Sequence, residues 1–168
     1  VSGEPDSYDG KEIAVRACEN IFGVGDSIGM CRFTTKLFNS PNLLDYEEFA
    51  LQLKNTTGIA FSSQQMNHIG LNINGIERII NHRLGSTAAD DTLPDRWFDE
   101  PILVGAYKGE KIDRGEFEAM KQRFYRISNL TEEGTPHPDW WEELLRVVGG
   151  YYLRVDIPDS IAGKRMTL

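Results

Sequence analysis

Asp26-Ser27-Ile28-Gly29-Met30-Cys31 sets a carboxylate, a glycine and a thiol within one short turn. An ionised carboxylate only accepts hydrogen bonds, and its two oxygens suit the paired N–H donors of an amino-pyrimidine edge. A glycine lets a flat ligand approach the backbone, and a thiolate can ligate iron. Plainer readings stand beside these. Asp26 can cap a helix that starts at Ser27, and Cys31 can be a small buried hydrophobe. Spacing alone leaves both open.

Other residues that could do chemistry carry weaker signals. Cys18 follows a helical apolar repeat and reads as core. His68, His82 and His137 are far apart and lack a paired ligand spacing, so structural or surface roles are expected. Trp140-Trp141 reads as a packing anchor, and Asp90-Asp91 as a turn cap. Asn129-Leu130-Thr131 matches a glycosylation sequon, which has no meaning in a cytoplasmic setting.

The elements that must position these residues are helical. Ile13, Ala14, Ala17, Cys18, Ile21 and Phe22 recur at three- and four-residue spacing, predicting a helix over 10–22 that Gly23 and Gly25 stop. Segment 31–38 is ambiguous between a helical turn and extended chain, and Asn39-Ser40-Pro41-Asn42 marks a loop. Asp45 and Glu48 form a capping-box start for a second helix carrying Phe49, Leu51 and Leu53. Ser62 or Ser63 caps a third and longer helix, with Met66, Ile69, Ile73, Ile76, Ile79 and Ile80 apolar and Gly85 at its end. Gly70 and Gly75 inside it predict close packing against another backbone, or a kink. Residues 86–112 are loop-rich, with a helical turn near Arg96-Trp97-Phe98. Asp113 and Glu116 open the next helix, with Phe117, Met120, Phe124 and Ile127 as its buried stripe. Asp139 is expected to cap a last helix carrying Trp140, Trp141, Leu144, Leu145 and Val148, ended by Gly149-Gly150. From Tyr151 a short strand or an extended arm is expected.

Composition narrows the function class. A chain of 168 residues, 40% hydrophobic and 26% charged, has enough apolar side chains for a packed core. Its net charge of −8 leaves no basic stripe for phosphates, which argues against nucleic-acid binding. No apolar run spans a membrane. Two cysteines make no disulfide framework, so a reducing cytoplasm is expected. The polar start Val1-Ser2-Gly3-Glu4-Pro5-Asp6 has neither a signal peptide nor a methionine, so the sequence reads as a processed product or a piece of a longer chain. The fold class expected is mainly α, an irregular multi-helix domain over residues 1–150 with an extension over 151–168 of no assigned role.

Taken together, these stretches resemble the C-terminal part of the tungsten-containing aldehyde:ferredoxin oxidoreductase family over about residues 10–148. The first anchor is Asp26-x-x-Gly29-x-Cys31 followed by Arg32-Phe33-Thr34, similar to that family's second pterin-binding motif. The second is Ile69-Gly70 with Ile76-Glu77-Arg78-Ile79-Ile80-Asn81-His82-Arg83-Leu84-Gly85. The third is Asp90-Asp91-Thr92-Leu93-Pro94-Asp95-Arg96-Trp97-Phe98, and the fourth runs from Asp113 through Tyr125 to Gly134-Thr135-Pro136.

The resemblance implies oxidation of aldehydes to carboxylic acids with electrons passed to ferredoxin. It implies tungsten (molybdenum in some relatives) held by the dithiolenes of two pterins, beside a 4Fe–4S cluster. By the match Asp26 resembles the acid that fixes a pterin, Gly29, Met30 and Arg32 belong to the same cofactor-binding loop, and Cys31 aligns with the fourth cluster cysteine. The other three cysteines belong to an upstream Cys-x-x-Cys-x-x-x-Cys run that this sequence does not contain. No catalytic residue is carried over. The partners implied are the upstream remainder of the enzyme and ferredoxin, with homodimerisation of the full enzyme left open. The isolated chain is then expected to lack both cofactors and to be inactive. The competing expectations are a non-catalytic helical interaction domain, or a relative acting on aromatic thioesters or hydroxy acids.

Overall fold

The computed structural model describes residues 3–4, 6–35 and 44–149, with side chains through 146. The chain is built from helices: α1 (Lys11–Ser27), a 3-10 turn (Arg32–Thr34), α2 (Tyr46–Thr57), α3 (Ser63–Arg83), α4 (Arg96–Asp99), α5 (Arg114–Ile127) and α6 (Pro138–Gly149). Among the described residues there is no strand. Two isolated bridges occur, parallel at Thr35–Leu44 and antiparallel at Leu130–Pro136. Among the described residues no helix is long and apolar enough to cross a membrane.

Helix α3 is the axis on which α1, α2 and α6 pack. Gly70 is what lets α1 lie so close: a Cβ there would stand 2.4 Å from the Asn20 carbonyl oxygen. Further along, a Cβ on Gly75 would stand 2.6 Å from the Trp140 ring and 2.7 Å from Leu144. Both internal glycines are therefore contact points, as their position in an apolar helix predicts. A polar seam runs through the α1–α3 crossing. Asn20 donates to Asn67 (3.0 Å) and accepts from Asn74 (3.0 Å), and the Tyr46 hydroxyl donates to Asn67 (3.1 Å). Directional bonds of this kind fix the register of two helices that apolar contacts alone would let slide.

The core divides in two. Ile21, Val24, Phe49, Ala50 and Met66 form one buried cluster where α1, α2 and α3 meet. Ile79, Tyr125, Leu130, Trp140 and Leu144 form the other, between α3, α5 and α6. Trp140 thus serves as the anchor expected of the Trp pair. The capping boxes at Asp45/Glu48 and Ser62/Gln65 are both formed, and Asp113 caps α5 through the Glu116 N–H. Gly85 has φ of 101° and closes α3, with its N–H on the His82 carbonyl.

Several sequence expectations need correction. Helix α1 does not stop at Gly23 and Gly25 but continues to Ser27. The cost of each glycine is offset by packing, since Gly23 faces Ile73 and Gly25 faces the Phe49 ring. Cys18 is half-buried and not in the core. Leu51 and Ile80 are exposed, because the apolar face of each helix turns toward other residues. In α5 it is Tyr125, not Ile127, that reaches the core, and Ile127 faces solvent. Asp139 lies within the first turn of α6 and does not cap it; Pro138 begins the helix, its fixed φ suiting that position. Of segment 31–38, residues 32–34 form the 3-10 turn, while 36–38, the loop at 39–42, the Val148 side chain, Gly150 and the arm from Tyr151 lie outside the described residues.

Candidate cofactor-binding loop

Gly29 ends α1. Its φ of 75° carries the chain into the left-handed region, where a side chain is strained. The Met30 N–H returns to the Gly25 carbonyl at 2.8 Å and the Gly29 N–H to the Asp26 carbonyl at 3.2 Å. This pair of bonds is a Schellman motif with Gly29 at its turning point. Met30 then packs its half-buried side chain against the first core cluster, which fixes the exit direction of the chain. Cys31 follows with extended backbone, and its carbonyl accepts from the Thr34 N–H and hydroxyl. Sequence reading treats Gly29 as a place for a ligand to approach. Folding requires it first, and no heavy atom lies within 4 Å of the position a Cβ would take.

Asp26 sits in the last turn of α1, so it cannot cap a helix beginning at Ser27. That position is electrostatically wrong for an acid, because the helix C-terminus carries the negative end of the macrodipole. No basic residue occupies the turn to offset it. The compensation comes from six residues on: Arg32 donates from Nε (3.2 Å to each oxygen) and from Nη2 to the Asp26 carboxylate. The Arg32 guanidinium also lies over the Phe22 ring, 5.4 Å from its centroid. These Arg32 hydrogen bonds hold the Asp26 carboxyl below the usual carboxylate range. A local rule is broken here and compensated nearby, a pattern that natural sequences concentrate at functional positions.

The Cys31 side chain is exposed, so it is not a core residue of this helical unit. Asp26, Gly29, Cys31 and Arg32 are all exposed, with Met30 beneath them, so one short turn presents an acid, an open glycine and a thiol to the same exterior. The thiol suits one iron position of a cluster, but a 4Fe–4S cluster takes four thiolates. The chain has two cysteines, and among the described residues no group of three or more His, Cys, Asp and Glu could hold a metal ion. The donor set therefore fits a contribution to a shared centre and not a complete one. Arg32 already donates to both Asp26 oxygens, so a pterin edge would have to use the carboxylate's remaining lone pairs or displace that fork.

Sequence reasoning missed a second polar group. Asp91, read as half of a turn cap, leaves that task to Asp90, whose carboxylate accepts from the Thr87 N–H and hydroxyl. Asp91 instead accepts from Arg78 (2.5 Å) and from the Tyr125 hydroxyl (2.6 Å) through one oxygen. The signal available was Arg78, a charge one position from the apolar stripe of α3. His68 and His137 are exposed, and His82 packs edge-on against Trp141, so the histidines form no ligand set.

Comparison with known proteins follows the same outline. The family model described as "Aldehyde ferredoxin oxidoreductase, domains 2 & 3" matches residues 1–145. The tungsten-containing aldehyde ferredoxin oxidoreductase of Pyrococcus furiosus is 34% identical over 120 residues, covering 71% of this chain and 18% of that protein. Its counterpart from Thermococcus kodakarensis is 33% identical over 120 residues, with the same coverage of 71% and 18%. An "Aliphatic sulfonate oxidoreductase, WOR-like subunit" of Pyrococcus furiosus is 30% identical over 125 residues, covering 71% of this chain and 19% of its own length. The chain spans about a fifth of the length of the curated relatives it matches.

Proposed function

This chain belongs to the aldehyde ferredoxin oxidoreductase family, and on that premise we propose that residues 1–150 are the C-terminal helical part of a tungstopterin- and 4Fe–4S-dependent oxidoreductase, with residues 151–168 an extension. When bound, these cofactors supply the two-electron oxidation of an aldehyde to a carboxylic acid and the passage of electrons to ferredoxin. The chain supplies positions. Asp26 accepts two hydrogen bonds from a pterin edge, and Gly29 keeps the backbone clear for a flat ring. Met30 ties the turn to the core, Cys31 contributes one cluster thiolate, and Arg32 holds the acid ionised on the same loop. A thiolate and a pterin-gripping carboxylate five residues apart keep the two redox centres adjacent, and hydrogen bonds around the sulfur then tune the potential.

The observation that carries this reading is the exposure of Cys31 on the turn that also presents Asp26 and Gly29. Free cysteines are among the most buried of residues. One held on the surface beside an ion-paired acid is better explained by a ligand than by packing. The remaining ligands and the first pterin motif belong to the upstream part of the enzyme, so the isolated chain is inactive. Substrate choice also lies upstream, and a relative named for aliphatic sulfonates favours keeping other substrates beside aldehydes.

Anaerobic co-expression with the upstream half of a relative, carrying the Cys-x-x-Cys-x-x-x-Cys run, tests the assignment. A brown complex is expected, with its cluster absorbance lost in Cys31→Ser. An intact cluster in that variant rejects the ligand role. Dye-linked aldehyde oxidation by the chain alone rejects the shared site.

A further inference from the structure

Between α4 and α5 the chain makes a pinned loop that leaves its apolar side chains outside. The Ile102 N–H donates to the Glu110 carbonyl (2.9 Å), and the Gly109 N–H returns to the Ile102 carbonyl (2.8 Å), which closes the neck. Inside the loop the Lys108 N–H reaches the Gly105 carbonyl and the Glu110 N–H the Tyr107 carbonyl. Gly105 and Gly109, with φ of 90° and 93°, make the left-handed turns this path needs. At the tip Leu103 is 76% exposed and Val104 79%, with Ile102 and Tyr107 exposed beside them. None of these four joins either core cluster. Backbone bonds therefore hold up an apolar knob that the helical unit does not bury. A run of exposed apolar side chains of this kind marks a contact surface.

The occupant follows from charge and length. The chain carries a net charge of −8, so a second copy or an anionic membrane would meet like charge on approach. The chain covers 18% of the Pyrococcus furiosus relative, and residues 1–145 match the family's domains 2 and 3. The remainder of such a protein has to pack against this unit, and contacts between domains bury apolar side chains at their centre. We propose that the knob at 102–107 is a docking surface for the upstream part of the same enzyme, with Leu103 and Val104 seated in an apolar recess there. The proposal rests on reading the chain as part of a longer oxidoreductase, and not on its cofactor assignments. The foot of the loop lies at the opposite end of α1 from the 26–32 turn, because the Asp113 N–H donates to the Tyr8 hydroxyl just ahead of that helix (2.8 Å). Seventeen residues of α1 separate the two, about 25 Å at the helical rise. Cofactor can then be lost without loss of the dock.

Co-expression of the full 168-residue chain with the tagged upstream half of a relative tests this, with purification in air and chelator so that no cluster persists. The parent chain should be retained on the tagged half, and Cys31→Ser retained equally. The double variant Leu103→Asp/Val104→Asp should wash off at least about ten-fold faster, since lost interface anchors show in the dissociation rate. Both side chains are exposed, so this variant should keep the parent's urea midpoint. Leu103→Ser/Val104→Ser, which adds no charge, should shift the rate in the same direction. Unchanged wash-off of both knob variants, or no retention of the parent, overturns the proposal. So does self-association of the chain alone, or flotation with phosphatidylglycerol vesicles, that the same variants abolish. An intact cluster in Cys31→Ser, by contrast, rejects the cofactor reading and leaves the dock standing.

Discussion

The Arg32 guanidinium forks onto both carboxylate oxygens of Asp26 across the turn that ends α1. The pair is solvent-exposed on both sides, so its value lies in orientation and ionisation more than in stability. Replacing Arg32 by alanine should let the Asp26 pKa rise toward its ordinary value of 3.8. The sign is that of a carboxyl depressed on folding. Its contribution is present above pH 3.8 and is lost as pH falls through the lower folded value. An NMR titration of the Asp26 carboxyl carbon in parent and variant measures this, and the difference should shrink at high salt.

The two thiols should react unequally. Cys31 is exposed, whereas Cys18 is half-buried and its thiol is pushed up by burial. Thiol reactivity follows access and thiolate fraction, so Cys31 should be alkylated faster by on the order of ten-fold. Peptide mapping by mass spectrometry over a time course of a small alkylating reagent gives both rates. Equal rates would mean that the loop does not hold Cys31 outward.

Gly70 and Gly75 should each refuse a methyl group. Alanine normally stabilises a helix interior by about 1 kcal/mol over glycine. Here its Cβ would meet the Asn20 backbone at one site and Trp140 with Leu144 at the other. Overpacking costs about 1–3 kcal/mol, so both variants should be less stable in urea unfolding. Gly70→Ala should suffer more, because a backbone carbonyl cannot swing aside as a side chain can.

Tyr46 should report on the α1–α3 seam at high pH. Burial raises its phenol from 10 to about 12. A group protonated more firmly in the folded state contributes stability that is complete below pH 10 and lost as pH climbs through about 12. The ultraviolet titration should therefore show a tyrosine ionising near pH 12 that disappears in Tyr46→Phe, while Tyr125, raised further by burial and its bond to Asp91, remains late-ionising in both. Stability should also fall less steeply with pH over that window in the variant.

The helix starts at Asp45, Ser62 and Asp113 were legible in the sequence because a cap is a contact between residues two or three positions apart. The stop at Gly85 was legible for the same reason. The stop of α1 was misplaced by five residues. Glycine pairs end helices on local grounds, and what overrode them was the fit of Gly23 and Gly25 against Ile73 and Phe49, partners on other helices. Tyr125 was overlooked as core for a related cause. Its hydroxyl needs Asp91, which lies 34 residues away.

Local chemistry written in adjacent residues was enough to mark Asp26, Gly29 and Cys31 as a group, and helical periodicity was enough to set a mainly α fold. Which way those residues face was decided by the packed chain, because burial is a property of neighbours brought from distant positions. The same holds for Tyr8 and Asp113, 105 residues apart, which meet only because α5 packs against α1.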